Sequence, residues 1–283
     1  MNFKLSDSTL RLTVAFLAAA TLAYVAQLHY DLWRRWGSPK LNVSYNEFIE
    51  PQPISAESAK LVNFGAREAL ADWYWLSLIQ YYGGGEPYGR YRKLPELFNL
   101  VTELSPKFLQ AYQTGLIILP GEGFVDEAIA LGEKGKKNLA ESWEIPYYTG
   151  LAYHIYKKDY IAAAKEFELA AAKEDAPPIA RYFVGIYYNL GNQRQLAYEI
   201  FRTVAATTDS DFIRERSQKY IQHLEIVFYL EDAVAKYKEQ FARAPESLEQ
   251  LVQANIINEI PASPLAITLT IDPNTGEVKE TKS

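Results

Sequence analysis

Apolar and polar positions alternate along this chain in three distinct ways, and each predicts a different element. From Leu12 to Tyr30 the sequence LTVAFLAAATLAYVAQLHY carries no formal charge, close to the roughly 20 apolar residues a helix needs to cross a hydrocarbon core. From about residue 55 to 257 apolar residues recur at helical spacing between brief loops marked by Pro95, Pro106, Gly121, Gly123, Pro146, Pro177, Pro178, Gly191 and Asn192, which predicts a succession of helices. Near the end the period drops to two. Ile267, Leu269 and Ile271 alternate with Thr268 and Thr270, and Asp272-Pro-Asn-Thr-Gly276 can turn the chain back through Glu277-Val-Lys, which predicts a small hairpin.

The first segment reads as a membrane anchor over residues 1–36. Lys4 and Arg11 precede the apolar run, and Tyr30, Trp33, Arg34, Arg35 and Trp36 follow it, as an aromatic and basic belt at the headgroups would. A cleaved signal peptide is the competing reading, with Thr21 and Ala23 at small-residue cleavage positions. The apolar run exceeds the usual 7 to 15 residues of such a peptide, so the uncleaved anchor fits better. Positive charge is nearly matched on its two flanks, and a signal-anchor would place the body outside the cytoplasm.

Residues 37–54, with Pro39, Pro51 and Pro53, read as a polar tether. Ser55 can cap a long helix to about Tyr82, with Leu61, Phe64, Ala69, Trp73 and Leu76 as its stripe, stopped by Gly83-Gly-Gly85. Residues 55–210 then form paired helices, and 211–257 form capping helices. In that cap, Asp211 to about Phe241 is one long helix with Ile213, Tyr220, Leu224, Val227, Val234 and Phe241 on a stripe. A short helix from Pro245 to near Ile257 follows, with Pro in the first turn, where its missing amide proton costs nothing. The tail spans 258–283.

A helix-loop-helix rhythm calls for a search for internal period. Gly185, Tyr188, Ala197 and Phe201 repeat Gly150, Tyr153, Ala163 and Phe167, with the two glycines 35 residues apart. Gly115, Ala128, Gly132 and Ala140 make a degraded third copy, and Leu94, Phe98 and Pro106 the second helix of a further one. This pattern resembles the tetratricopeptide repeat family, whose period is 34 residues. The resemblance covers roughly Lys107 to Asp209 and extends loosely back to Ser55. It departs from the family at Arg181 and Val184, which stand where the pattern has Trp and Leu, and in an inner loop one residue longer in the Tyr153 copy.

The resemblance implies an all-α fold, a helical-repeat superhelix behind the transmembrane helix and ahead of the hairpin. It also implies that first helices line a concave face that holds a peptide or partner helix. In that register Tyr147, Leu151 and His154, then Tyr182, Ile186 and Asn189, with Tyr112 and Leu116 from the weaker copy, face the groove. The same residues also read as inter-repeat core, and spacing leaves both open. Small residues at Gly150, Ala163, Gly185 and Ala197 let paired helices approach closely. The tail looks like the last segment of bacterial pseudopilin-like proteins, but no prepilin-type N-terminus accompanies it and no function is carried across.

Composition narrows the chemistry. The chain has 21 Tyr, 13 Phe and 5 Trp, no Cys, and a net charge of −6. An acidic body repels nucleic acid, and thiol chemistry is excluded. The glycine run at 83–89 follows a helix and has Arg90 where a phosphate loop needs Lys. Tyr88, Arg90, Tyr91, Arg92 and Lys93 form a basic-aromatic cluster that suits an acidic segment or lipid headgroups as well as a solvated loop. His29, His154 and His223 show no ligand spacing, and Asp272 to Gly276 lacks the distal Glu of a calcium loop. No acid, base and nucleophile set is visible, so neither an enzyme nor a bound cofactor is expected. The expected role is a membrane-anchored interaction scaffold or assembly subunit of an envelope complex. The alternative is a structural subunit built permanently into a large envelope assembly of secretion, pilus or filament type.

Overall fold

The computed structural model describes residues 19–27, 51, 53–55, 57–59, 65–84 and 91–282. The chain divides into one compact unit up to Glu50 and a second from Pro51 to Ser283. In the first, residues 19–27 are helical, with Leu22, Tyr24 and Val25 exposed. The rest of the expected 12–30 span and nearly all of the 37–54 tether lie outside the described residues. Among the described residues, no helix is long and apolar enough to cross a membrane.

The described residues of the second unit are mostly helical, with one hairpin. Its helices are α1 (Arg67–Gly83), α2 (Leu94–Leu104), α3 (Leu109–Gly121), α4 (Val125–Asn138), α5 (Glu144–Ala152), α6 (Tyr160–Ala171), α7 (Pro178–Leu190), α8 (Arg194–Thr207), α9 (Asp211–Phe241) and α10 (Leu248–Gln253). The strands are β1 (Ile267–Ile271) and β2 (Val278–Lys282), paired antiparallel with Ile271 opposite Val278. Local chemistry explains several boundaries. The Asp159 carboxylate accepts from the Ala162 amide at 2.9 Å at the start of α6, and the Ser210 hydroxyl accepts from the Ile213 amide at the start of α9, each satisfying an amide that the first turn leaves open. Pro178 opens α7, where its missing N–H is no loss.

Each helix packs on the next, and α3 also meets α5, α2 meets α4, and α7 meets α9. Two larger cores lie among the helices: one gathers Leu78, Leu97, Phe98, Tyr112, Leu131 and Ile145, the other Phe167, Tyr187, Phe201 and Leu224, and a small cluster of Ala59, Ala71, Leu100 and Leu104 lies beside them. A third core joins the C-terminal half of α9 to α10 and the hairpin through Val227, Leu230, Leu251, Leu269, Ile271 and Val278. A lone two-stranded hairpin is marginal in water, and this one is seated on a helix. At about 1.5 Å per residue α9 runs about 45 Å, long enough to serve both cores.

Three expectations are corrected. The helix from Ser55 to Tyr82 is broken: Ser55 does accept from the Ser58 amide at 3.1 Å, but Gly65 adopts φ +86 and Ala66 is not helical, so α1 starts at Arg67. Leu61 and Phe64 fall outside the described residues. The α1 stripe also faces the other way, with Trp73 67% and Leu76 59% exposed while Ala71, Leu78 and Tyr81 are buried. Both faces of α1 are apolar, so periodicity alone could not choose between them. Finally, the short helix after Pro245 begins only at Leu248 and ends at Gln253, leaving Pro245 ahead of it and Ile257 beyond.

The additional residue of the Tyr153 copy has a physical home. Past Ala152 the helix widens into a π-helical turn at Tyr153–Lys157, followed by Lys158 at φ 56. A π turn accommodates one residue more than an α turn, so the insertion is absorbed at the end of α5 and the contact between α5 and α6 keeps its register.

Candidate partner-binding face

The repeated small residues sit at helix crossings. A Cβ on Gly150 would stand 2.9 Å from the Phe167 ring and 3.3 Å from the Ala163 carbonyl oxygen, and one on Gly185 would stand 2.8 Å from the Phe201 ring. The two crossings therefore use the same device, a glycine on one helix under a phenylalanine on the next. Leu131 takes the phenylalanine's part over Gly115. Ala163, Phe167, Ala197 and Phe201 have no exposed surface. Tyr188 is buried too, and burial together with its hydrogen bond to the Glu168 carboxylate pushes its phenol up to about 12. Tyr153 is half-buried in the π turn.

Of the eight residues expected on the groove, four belong to the interior. Tyr112 is fully buried, and its hydroxyl accepts from Asn138 Nδ2 at 2.8 Å. Leu116 packs beside Gly132. Tyr182 is buried against Phe201 and Tyr220, at ring separations of 5.7 and 6.0 Å. Asn189 is 8% exposed. For the two tyrosines the reason is aromatic volume: where the glycines bring neighbouring helices together, these rings fill the space beside the crossings, while Asn189 is covered by Glu280 of the hairpin. Tyr147, Leu151, His154 and Ile186 remain partly exposed along α5, the π turn and α7.

Beneath them lies a ring array that residue spacing did not reveal. Phe167 packs against Tyr147, Phe183 and Tyr187 at 5.2, 5.2 and 5.0 Å, the last stacked at 14°, and His154 lies 4.8 Å from Tyr187. Phe183 and Tyr187 lie off the recurring Gly, Tyr, Ala and Phe positions. Their spacing of four residues on one helix was the available signal. Burial raises the Tyr187 hydroxyl to about 12, so these rings act as neutral contact surface over the whole working pH range.

A cleft of about 420 Å³ opens between α6 and α8, lined by Ala171, Ala172, Val184, Ile200 and Val204, with Arg181 on its wall. Of the basic-aromatic cluster, Tyr88 and Arg90 lie outside the described residues. The Tyr91 hydroxyl donates to the Tyr82 carbonyl at 3.2 Å, and Lys93 pairs with Glu96 at 3.2 Å. Asp272 accepts from the Asn274 amide at 3.0 Å, which makes it a turn residue. Among the described residues no group of His, Asp and Glu could hold a metal ion.

The polar cluster that reading the sequence missed lies where the tail meets the helices. His223 has no exposed surface; its Nδ1 is 2.8 Å from Ser263 Oγ and its Nε2 is 3.5 Å from Glu280 Oε2. Asn189 Nδ2 donates to the same carboxylate at 3.3 Å, and Arg194 Nε stands 3.5 Å from its other oxygen. Arg194 also donates to Glu231 at 2.5 Å and to the Val278 carbonyl at 2.8 Å. Burial pushes the Glu280 carboxyl up, but the hydrogen bond and charge of His223, with Arg194 and Asn189, outweigh it and hold the acid below its ordinary range. Serine, histidine and glutamate stand there in a row, with Ser263 Oγ also accepting from the Leu265 amide at 3.1 Å and the imidazole without exposed surface, so the group ties the tail to the helices. No protein-family model and no curated protein matches the chain.

Proposed function

We propose that this chain is a membrane-anchored scaffold of tetratricopeptide-repeat type, which holds a segment of another protein against its stacked helix pairs. The observation that carries this reading is the recurrence, 35 residues apart, of one crossing device, Gly150 under Phe167 and Gly185 under Phe201. Such units bury their apolar sides only by stacking, and a stack of this kind leaves a continuous surface along successive helices. On that surface Tyr147, Leu151, His154 and Ile186 offer apolar bodies with polar tips, which suits an extended peptide or a partner helix. The uncharged stretch from Leu12 to Tyr30 supports anchoring in a bilayer, with the body on the extracytoplasmic side.

A photoreactive residue at Ile186, in the full chain in its native membrane, tests the holding role. Trapping one discrete protein in specific adducts is expected. Adducts with lipid or solvent alone would defeat the proposal, provided the same probe placed at the buried Tyr112 stays silent. Protease protection on intact cells reports the side on which the body lies.

A further inference from the structure

We infer that the C-terminal hairpin is a latch, with Glu280 as its key, fastened across the end of α7 so that Asn189 is covered. The inward face of the hairpin carries Leu269 and Ile271 from β1 and Val278 from β2, all buried in the core with α9 and α10. In the strand register Glu280 stands opposite Leu269, on that same face. A carboxylate in such a place is costly unless paired. The groups that pair it come from three helices: Asn189 of α7, Arg194 of α8 and His223 of α9. Nearby, Glu277 accepts from Asn192 at 3.4 Å in the turn between α7 and α8.

The two halves of this attachment do different work. Apolar contacts hold the hairpin to α9 and α10 whatever the state of the carboxylate. Glu280 is the inward-facing side chain that meets both α7 and α8, beside the Val278 carbonyl on Arg194 and Glu277 on Asn192, and because side chains alternate along a strand, a slip of one residue would carry it off the inward face. The key therefore sets where the strand lies, and its loss loosens β2 over the end of α7 without dissolving the apolar core. What the closed latch excludes rests on the partner-holding reading: a segment running along α5 and α7 stops short of Asn189 while β2 is in place.

Hydrogen exchange on the full chain tests the latch without any partner, so it can fail while the proposed function stands, and the reverse. In Glu280→Gln the amides of residues 278–282 and 186–194 should exchange about tenfold faster or more, while those of α2 and α10 keep their wild-type rates. In Glu280→Ala, acetate should slow exchange in these two segments relative to chloride at equal ionic strength, because a free carboxylate can enter the vacated socket. Unchanged exchange in Glu280→Gln overturns the latch, as does a rise spread evenly over every helix. Equal rates in acetate and chloride overturn the role of the carboxylate as key.

Discussion

The helix stack and the joint between stack and tail are both buried, yet they are held by opposite means. In the stack, Gly150 and Gly185 lie under phenylalanine rings and the space between units is filled by Tyr147, Tyr182, Phe183 and Tyr187. At the joint, Arg194, His223 and Asn189 gather around the Glu280 carboxylate, and Glu231 shares Arg194 with it. Apolar contact is summed over many atoms and tolerates small shifts, whereas a buried charge demands particular partners. The difference teaches that strength in this molecule resides in the repeated crossings and positional specificity in the joint.

The largest blow to that contrast would fall on the stack. Phe201→Ala removes a fully buried ring that covers Gly185 and stacks on Tyr220 at 4.7 Å, and should cost about 3 to 5 kcal/mol in denaturant unfolding. A loss under 1 kcal/mol would mean the crossing is not where stability resides. Arg194→Ala strikes the joint, leaving Glu280 and Glu231 short of their cation. About 1 to 3 kcal/mol is expected, accompanied by faster exchange confined to the tail and the α7 end. A uniform loss without that local signature would erase the distinction between the regions.

Acid sharpens the same contrast. The Glu280 carboxyl is held below its ordinary range, so the unfolded chain takes up that proton first; the stability it supplies is present above the ordinary carboxylate pKa and drains away as pH falls through the lower folded value. Glu166, in the stack, is shifted the other way: burial raises its carboxyl despite Lys136 at 2.5 Å. The folded form takes that proton first, and acid relieves the stack of a buried charge. Segment-resolved exchange from pH 7 down to 3 should therefore show the tail and residues 186–194 loosening before the rest of α5 to α8, and the reverse order would refute the assignment. The smallest effect is expected outside both regions: Trp73→Ser on the exposed face of α1 should change stability by no more than about 0.5 kcal/mol, and a larger loss would show that this face is covered.

What the sequence determined by itself is local. A period of 35 residues, the glycine and phenylalanine positions, the boundaries of α9 from Asp211 to Phe241 and the hairpin turn before Gly276 all arise from neighbours in the chain, and each is written in nearby residues. Tertiary structure alone decided which apolar face of α1 turns inward, which groove tyrosines become core, and that Asn189, Arg194, His223, Ser263 and Glu280 meet. Those five come from segments as much as 91 residues apart, and none is conspicuous in its own helix or strand. Periodicity reports the energy of burying a face, which is short-ranged along the chain, whereas a charge finds its partners only after the apolar surfaces have brought distant segments together.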